Sequence, residues 1–106
     1  MKQEVKRGHY SSLEGDGLAN IMSEIFGNVA SEGDMLVSSY GAIRKLKAKL
    51  LDRSTLWVEM ESDPGASNEM AAETIRRYNA FMERATGFTS KQRRNRLNKK
   101  AREGKL

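Results

Sequence analysis

Ile43-Arg44-Lys45-Leu46-Lys47-Ala48-Lys49-Leu50-Leu51-Asp52-Arg53-Ser54-Thr55-Leu56-Trp57-Val58-Glu59-Met60-Glu61 decides the fold. On one side of Asp52-Arg53-Ser54, Lys45, Lys47 and Lys49 alternate with Leu46, Ala48 and Leu50. On the other, Trp57, Glu59 and Glu61 alternate with Leu56, Val58 and Met60. Successive side chains of a strand point to opposite faces, so this pattern describes two strands, each with one oily and one charged face. The polar triplet between them supplies turn chemistry, which makes the pair an antiparallel hairpin.

Upstream, the same reading adds two shorter strands, Asn28 to Ser31 and Met35 to Tyr40, joined through Glu32-Gly33-Asp34, with Gly41 breaking the run before Ile43. Further upstream still, Leu18, Ile21, Met22 and Ile25 recur at three- and four-residue steps. They predict a helix over about residues 17–26, with Asp16 as N-cap and Gly27 as its stop. Gln3 to Tyr10 carries no helical stripe and reads as a short first strand running into a loop.

Downstream, Asp63-Pro64-Gly65 ends the meander, and Ala71, Ile75 (or Thr74), Tyr78, Phe81, Met82 and Ala85 return to helical spacing over about 67–86. Ser67 or Asn68 is placed to cap this helix and Gly87 to close it. The predicted order is β-α-β-β-β-β-α. Two amphipathic helices must bury their stripes on the oily face of one antiparallel sheet of five strands, giving an α+β two-layer sandwich whose other sheet face is open. Leu18, Ile21, Met22, Ile25, Leu46, Leu50, Leu56, Val58, Met60, Ile75, Tyr78 and Met82 form the predicted core.

The 106 residues carry 19 Lys+Arg against 14 Asp+Glu, but the excess is local. Residues 1–90 hold 11 basic and 13 acidic side chains, whereas residues 91–106 hold Lys91, Arg93, Arg94, Arg96, Lys99, Lys100, Arg102 and Lys105 against Glu103 alone. We therefore divide the chain into a sandwich domain, 1–90, and a basic C-terminal tail, 91–106. The tail's apolar residues, Leu97, Ala101 and Leu106, contribute about 3 to 5 kcal/mol on burial. Ordering each residue costs roughly 1 to 2 kcal/mol. A frayed helix capped by Thr89 or Ser90 is expected, with cations crowding a first turn where the dipole favours acids.

The absence of cysteine excludes disulfide scaffolds, thiolate metal sites and thiol nucleophiles, and suits a reducing, cytoplasmic setting. Apolar runs are too short to span a membrane, and the charged amino terminus is unlike a signal peptide. His9 is the single histidine and has no partner at ligand spacing, so it reads as a hydrogen-bonding surface residue. Gly15-Asp16-Gly17 precedes a helix but lacks the third glycine or the Lys of a phosphate loop, and reads as a cap and turn. No residues are assigned to catalysis, metal or cofactor.

Three stretches carry a family resemblance: Lys6-Arg7-Gly8-His9-Tyr10, Gly33-Asp34-Met35-Leu36-Val37-Ser38-Ser39-Tyr40-Gly41-Ala42, and Phe88-Thr89-Ser90-Lys91-Gln92-Arg93-Arg94. With them the chain resembles a family of small uncharacterised archaeal proteins. The resemblance implies a fold like one half of the TATA-binding protein and carries no activity with it.

The expected function is that of a small non-enzymatic binding module gripping nucleic acid without sequence specificity. Lys91, Arg93, Arg94, Arg96, Lys99, Lys100 and Arg102 of the tail would make the contacts, with a second stripe at Lys45, Lys47 and Lys49 near Arg44 and Arg53. Cross-strand pairing with Glu59 and Glu61 is the plainer reading of that stripe. The alternative partner is another protein, or a second copy, docking on the open sheet face around Trp57. No small-molecule substrate is evident.

Overall fold

A computed structural model of the chain describes residues 1–102, with side chains as far as Lys99. It is an α+β protein: β1 (Lys2–Glu4), α1 (Gly17–Phe26), β2 (Ala30–Glu32), β3 (Met35–Tyr40), β4 (Ile43–Asp52), β5 (Thr55–Ser62), α2 (Asn68–Thr86) and α3 (Ser90–Arg102). The five strands form one antiparallel sheet in the order β1-β5-β4-β3-β2. Sequence periodicity located α1, β3, β4, β5 and α2 to within a residue or two. The first strand is shorter than expected, because Gly8 (φ 85°) turns the chain into a single 3-10 turn at His9–Ser12. The second begins later, at Ala30, because Asn28 is occupied: its side chain donates to the Ser39 carbonyl and accepts the Ser39 N–H, and its carbonyl accepts the Ser38 hydroxyl.

The caps follow the sequence closely. Ser67 accepts the Met70 N–H, and Gly87 closes α2 in the left-handed conformation (φ 80°). A Cβ at Gly87 would also meet Lys6 and His9 at 3.0–3.1 Å, so glycine there permits both the turn and the close approach of the loop after β1. Asp16 holds the N-cap position of α1 without a capping hydrogen bond.

Leu18, Ile21, Met22 and Ile25 of α1 pack with Leu46, Ala48, Leu56 and Val58 of the sheet and Phe81, Met82 and Ala85 of α2. Leu50 and Tyr78 sit at the margin of this core, half-buried. Two expected core residues are surface residues. Met60 is 48% exposed although it shares the inward parity of Leu56 and Val58. β1 pairs with Thr55, Leu56 and Trp57, and Met1 bonds Val58 just beyond it, so Met60 lies on the stretch of β5 that β1 does not reach. Ile75 is 58% exposed, and its neighbour Thr74 takes the inward place. The Thr74 hydroxyl accepts the Ala42 N–H (3.0 Å) and donates to the Met70 carbonyl (2.7 Å), a buried polar link that isoleucine cannot form.

As far as Arg102, the basic segment is helical to a greater extent than apolar burial alone predicts. α3 runs from Ser90 through Arg102, and its anchors are polar.

Candidate nucleic-acid interface

α3 begins with a capping box that the spacing Thr89-Ser90-Lys91-Gln92 encodes. The Thr89 hydroxyl accepts the Gln92 N–H (3.2 Å), and the Gln92 side-chain oxygen accepts the Thr89 N–H (2.9 Å). These bonds satisfy donors at an end where Lys91 opposes the helix dipole.

Two arginines one turn apart then hold the helix to the sandwich. Arg93 donates to the Phe88 carbonyl (3.0 Å), to Asn79 of α2 (3.3 Å) and to the Ser90 hydroxyl (3.3 Å). Arg96 makes a two-pronged contact with Glu4 of β1, one prong at 2.8 Å, and lies 4.6 Å from the centroid of the buried Phe88 ring. The Glu4 carboxylate pushes the Arg96 guanidinium to an even higher pKa. Arg93 and Arg96 are thus fastened inward. Lys91, Arg94 and Lys99 are exposed and make no ion pair among the described residues. The side chains of Lys100 and Arg102, and the whole of Lys105, lie outside the described residues.

The lysine stripe of β4 has a different environment. In the ladder Lys45 opposes Glu61, Lys47 opposes Glu59 and Lys49 opposes Trp57, so strand parity places these residues on one face as the alternation requires. The ammonium groups, however, reach the other way. Lys45 (3.1 Å) and Lys47 (3.0 Å) share Glu32 of β2, and Lys49 meets Asp34 of the β2–β3 turn at 2.8 Å. Lys47 and then Lys45 hold the Glu32 carboxyl below its ordinary pKa, Lys49 does the same for Asp34, and Glu32 in turn raises Lys47. The stripe is charge-compensated from both sides, with Glu59 and Glu61 left exposed beside it.

Trp57 is half-buried between Lys2 of β1 and Lys49 of β4 in the ladder, and its indole N–H donates to Glu59 at 2.9 Å. Its polar atom is satisfied and its ring is flanked by charged residues. The His9 ring donates from Nε2 to the Arg84 carbonyl (2.5 Å), tying the loop after β1 to the end of α2. Among the described residues no group of three or more His, Asp or Glu side chains is placed to hold a metal ion, and no helix is long and apolar enough to cross a membrane.

One gathering of residues escaped sequence reading. Arg7 and Tyr10 from the loop after β1, Arg53 from the β4–β5 turn and Arg96 from α3 line a single cavity beside Phe88. Arg7 and Tyr10 stood only as landmarks of a resemblance, and Arg53 only as a neighbour of the lysine stripe, because no local period links positions so far apart.

Comparison with known proteins supplies kinship. Residues 1–99 match the family described as Domain of unknown function (DUF5611). The chain is also similar to a hypothetical protein, TA0095, from Thermoplasma acidophilum, whose solution structure superposes with a TM-score of 0.61 at 26% identity. That match covers 91% of this chain and 95% of the other. No curated protein matches the chain significantly.

Proposed function

Because the chain belongs to the DUF5611 family, whose description assigns no activity, we propose a function from the surface itself: non-enzymatic, sequence-independent binding of nucleic acid by α3. The observation that carries this reading is the division of labour among the helix's cations. Arg93 and Arg96 spend their hydrogen bonds on the sandwich, while Lys91, Arg94 and Lys99 remain available to an outside anion. At 1.5 Å of rise per residue, Lys91 to Lys99 spans about 12 Å, the length of roughly three phosphates on one duplex strand. A rigid cationic rod loses less entropy on binding than a free arm.

Lys45, Lys47 and Lys49 take a lesser part, since a phosphate there must displace Glu32 or Asp34. A half-repeat architecture of the TATA-binding-protein kind is part of the same proposal, at the level of fold, as is a cytoplasmic setting. Insertion of apolar wedges into a minor groove is not part of it, because the open face carries Glu59 and Glu61 and none of the phenylalanines.

The test is fluorescence anisotropy with 5′-hydroxyl duplex DNA and single-stranded RNA, of random and defined sequence, between 50 and 200 mM salt. With four to six phosphate contacts, log affinity for the duplex falls with log salt at a slope of about −4 to −5, costing about 10² to 10³ in affinity. The variant Lys91→Gln/Arg94→Gln/Lys99→Gln flattens the duplex slope by about 2 to 3. An unchanged slope in that variant, or a strong preference for one sequence, overturns the reading. Absence of binding by the wild type at 50 mM salt also overturns it, and makes Trp57 the next residue to substitute.

A further inference from the structure

We propose that the cavity between the loop after β1, the β4–β5 turn and α3 is a binding site for a phosphomonoester dianion. Such a group is carried by a mononucleotide or by the phosphorylated end of a nucleic-acid strand. The inference does not rest on the outer face of α3, with which it shares no residue.

The first ground is a comparison among the arginines of the sandwich. Arg44 has Asp63, Arg76 and Arg77 share Glu73, and Arg84 has Glu24. Of the arginines of the sandwich, only Arg7 and Arg53 stand without a carboxylate among the described residues, and both line the same cavity. Arg53 lies 5.8 Å from the Tyr10 ring centroid, a contact that orients the guanidinium without neutralising it. Arg96 enters from the third side, steadied by Glu4 and Phe88.

The second ground is charge and size. The lining carries Arg7, Arg53 and Arg96 against Glu4, an excess of two positive charges. A phosphomonoester carries about −1.5 to −2 at neutral pH, against one negative charge on a backbone diester. Its three terminal oxygens suit several N–H forks converging from separate segments, and guanidinium groups bind phosphate bidentately. The cavity volume of about 660 Å³ is within the range of small-ligand sites and admits a nucleotide. Ser11 and Ser54 also line the cavity, their hydroxyls donating to the Gly8 carbonyl (3.4 Å) and the Asp52 carboxylate (3.0 Å).

The experiment follows backbone amide shifts of the full chain by NMR at constant ionic strength, titrating inorganic phosphate, adenosine 5′-monophosphate and adenosine. We expect saturable shifts at Arg7, Gly8, Tyr10 and Ser54 with phosphate and the monophosphate, and none with adenosine. Arg7 and Arg53 are exposed, so Arg7→Gln and Arg53→Gln keep the fold, and each weakens binding about tenfold. Affinity for the monophosphate falls below about pH 6 as the dianion takes up one proton and becomes a monoanion. Oligonucleotides bearing a 5′-phosphate or a 5′-hydroxyl separate the sources. A 5′-phosphate preference lost in the Arg7→Gln/Arg53→Gln protein assigns a strand end. Tight monophosphate binding without that preference assigns a free nucleotide. Non-saturable shifts, equal response to adenosine, or unchanged affinity in the double variant overturns the site. The α3 triple variant retains monophosphate binding, so failure of the nucleic-acid reading and failure of this one are distinguishable.

Discussion

At Thr74 a hydroxyl does what the neighbouring isoleucine cannot, accepting from the Ala42 N–H inside the core while returning its own proton to the Met70 carbonyl. Thr74→Val keeps the shape and removes both bonds, leaving a buried N–H without a partner, and is expected to cost about 1 to 3 kcal/mol. Ile75→Gln, one residue on, is expected to fall within about ±0.5 kcal/mol because that side chain already faces water. Urea melts of the two variants check the pair, and equal losses would mean that α2 is rotated from the orientation described. Both residues belong to the same helical stripe by spacing, so the choice between them was not legible in the sequence. It depends on a turn, Gly41-Ala42, that meets α2 only in the folded chain. The inward Leu46, Leu56, Val58 and Met82 were legible, because parity and helical period are local properties of the backbone.

Among the elements, α3 is the one whose stability owes least to apolar packing. Its first turn depends on the Thr89–Gln92 capping box and its middle on Arg96 with Glu4. Thr89→Ala is expected to cost the helix about 0.5 to 2 kcal/mol, with the loss confined to α3. Hydrogen exchange checks this: amides of α3 should exchange faster while those of β4 and β5 keep their protection. Faster exchange across the sheet would instead show that α3 supports the whole sandwich. The cap was legible as a Thr followed three residues later by Gln. The inward turn of Arg93 and Arg96 was not, since a run of cations shows no stripe by which to tell anchors from free ends.

At the scale of the whole molecule, the carboxyls of Glu32, Asp34, Asp52 and Glu73 are each held below their ordinary pKa. Glu32 is lowered by Lys47 and Lys45, Asp34 by Lys49, Asp52 by the Ser54 N–H and hydroxyl, and Glu73 by Arg76, Tyr40 and Arg77. A carboxyl whose pKa is lower folded than unfolded binds more protons in the unfolded chain, so its contribution is complete above the unfolded value, about 4, and is lost as pH falls toward the folded one. The urea midpoint is therefore expected to hold steady from about pH 7 to 5 and to drop below about 4.5. Glu32→Gln should make that drop shallower, and so should salt, because these pairs are solvent-exposed. A midpoint that rises on acidification contradicts this assignment.

The sequence by itself determined the α+β class, the element order, the face of each long strand, most of the caps and the segregation of positive charge beyond residue 90. Each of these follows from a period or a turn preference acting over a few neighbouring residues. Tertiary structure alone decided that Lys45, Lys47 and Lys49 turn to Glu32 and Asp34 and not to Glu59 and Glu61. It decided that Met60 meets solvent where β1 stops, and that Arg7, Arg53 and Arg96 share one cavity. These outcomes depend on where separate segments end and which side chains they bring within reach. An ion pair such as Arg96 with Glu4 joins residues from opposite ends of the chain, and no local pattern records that they will meet.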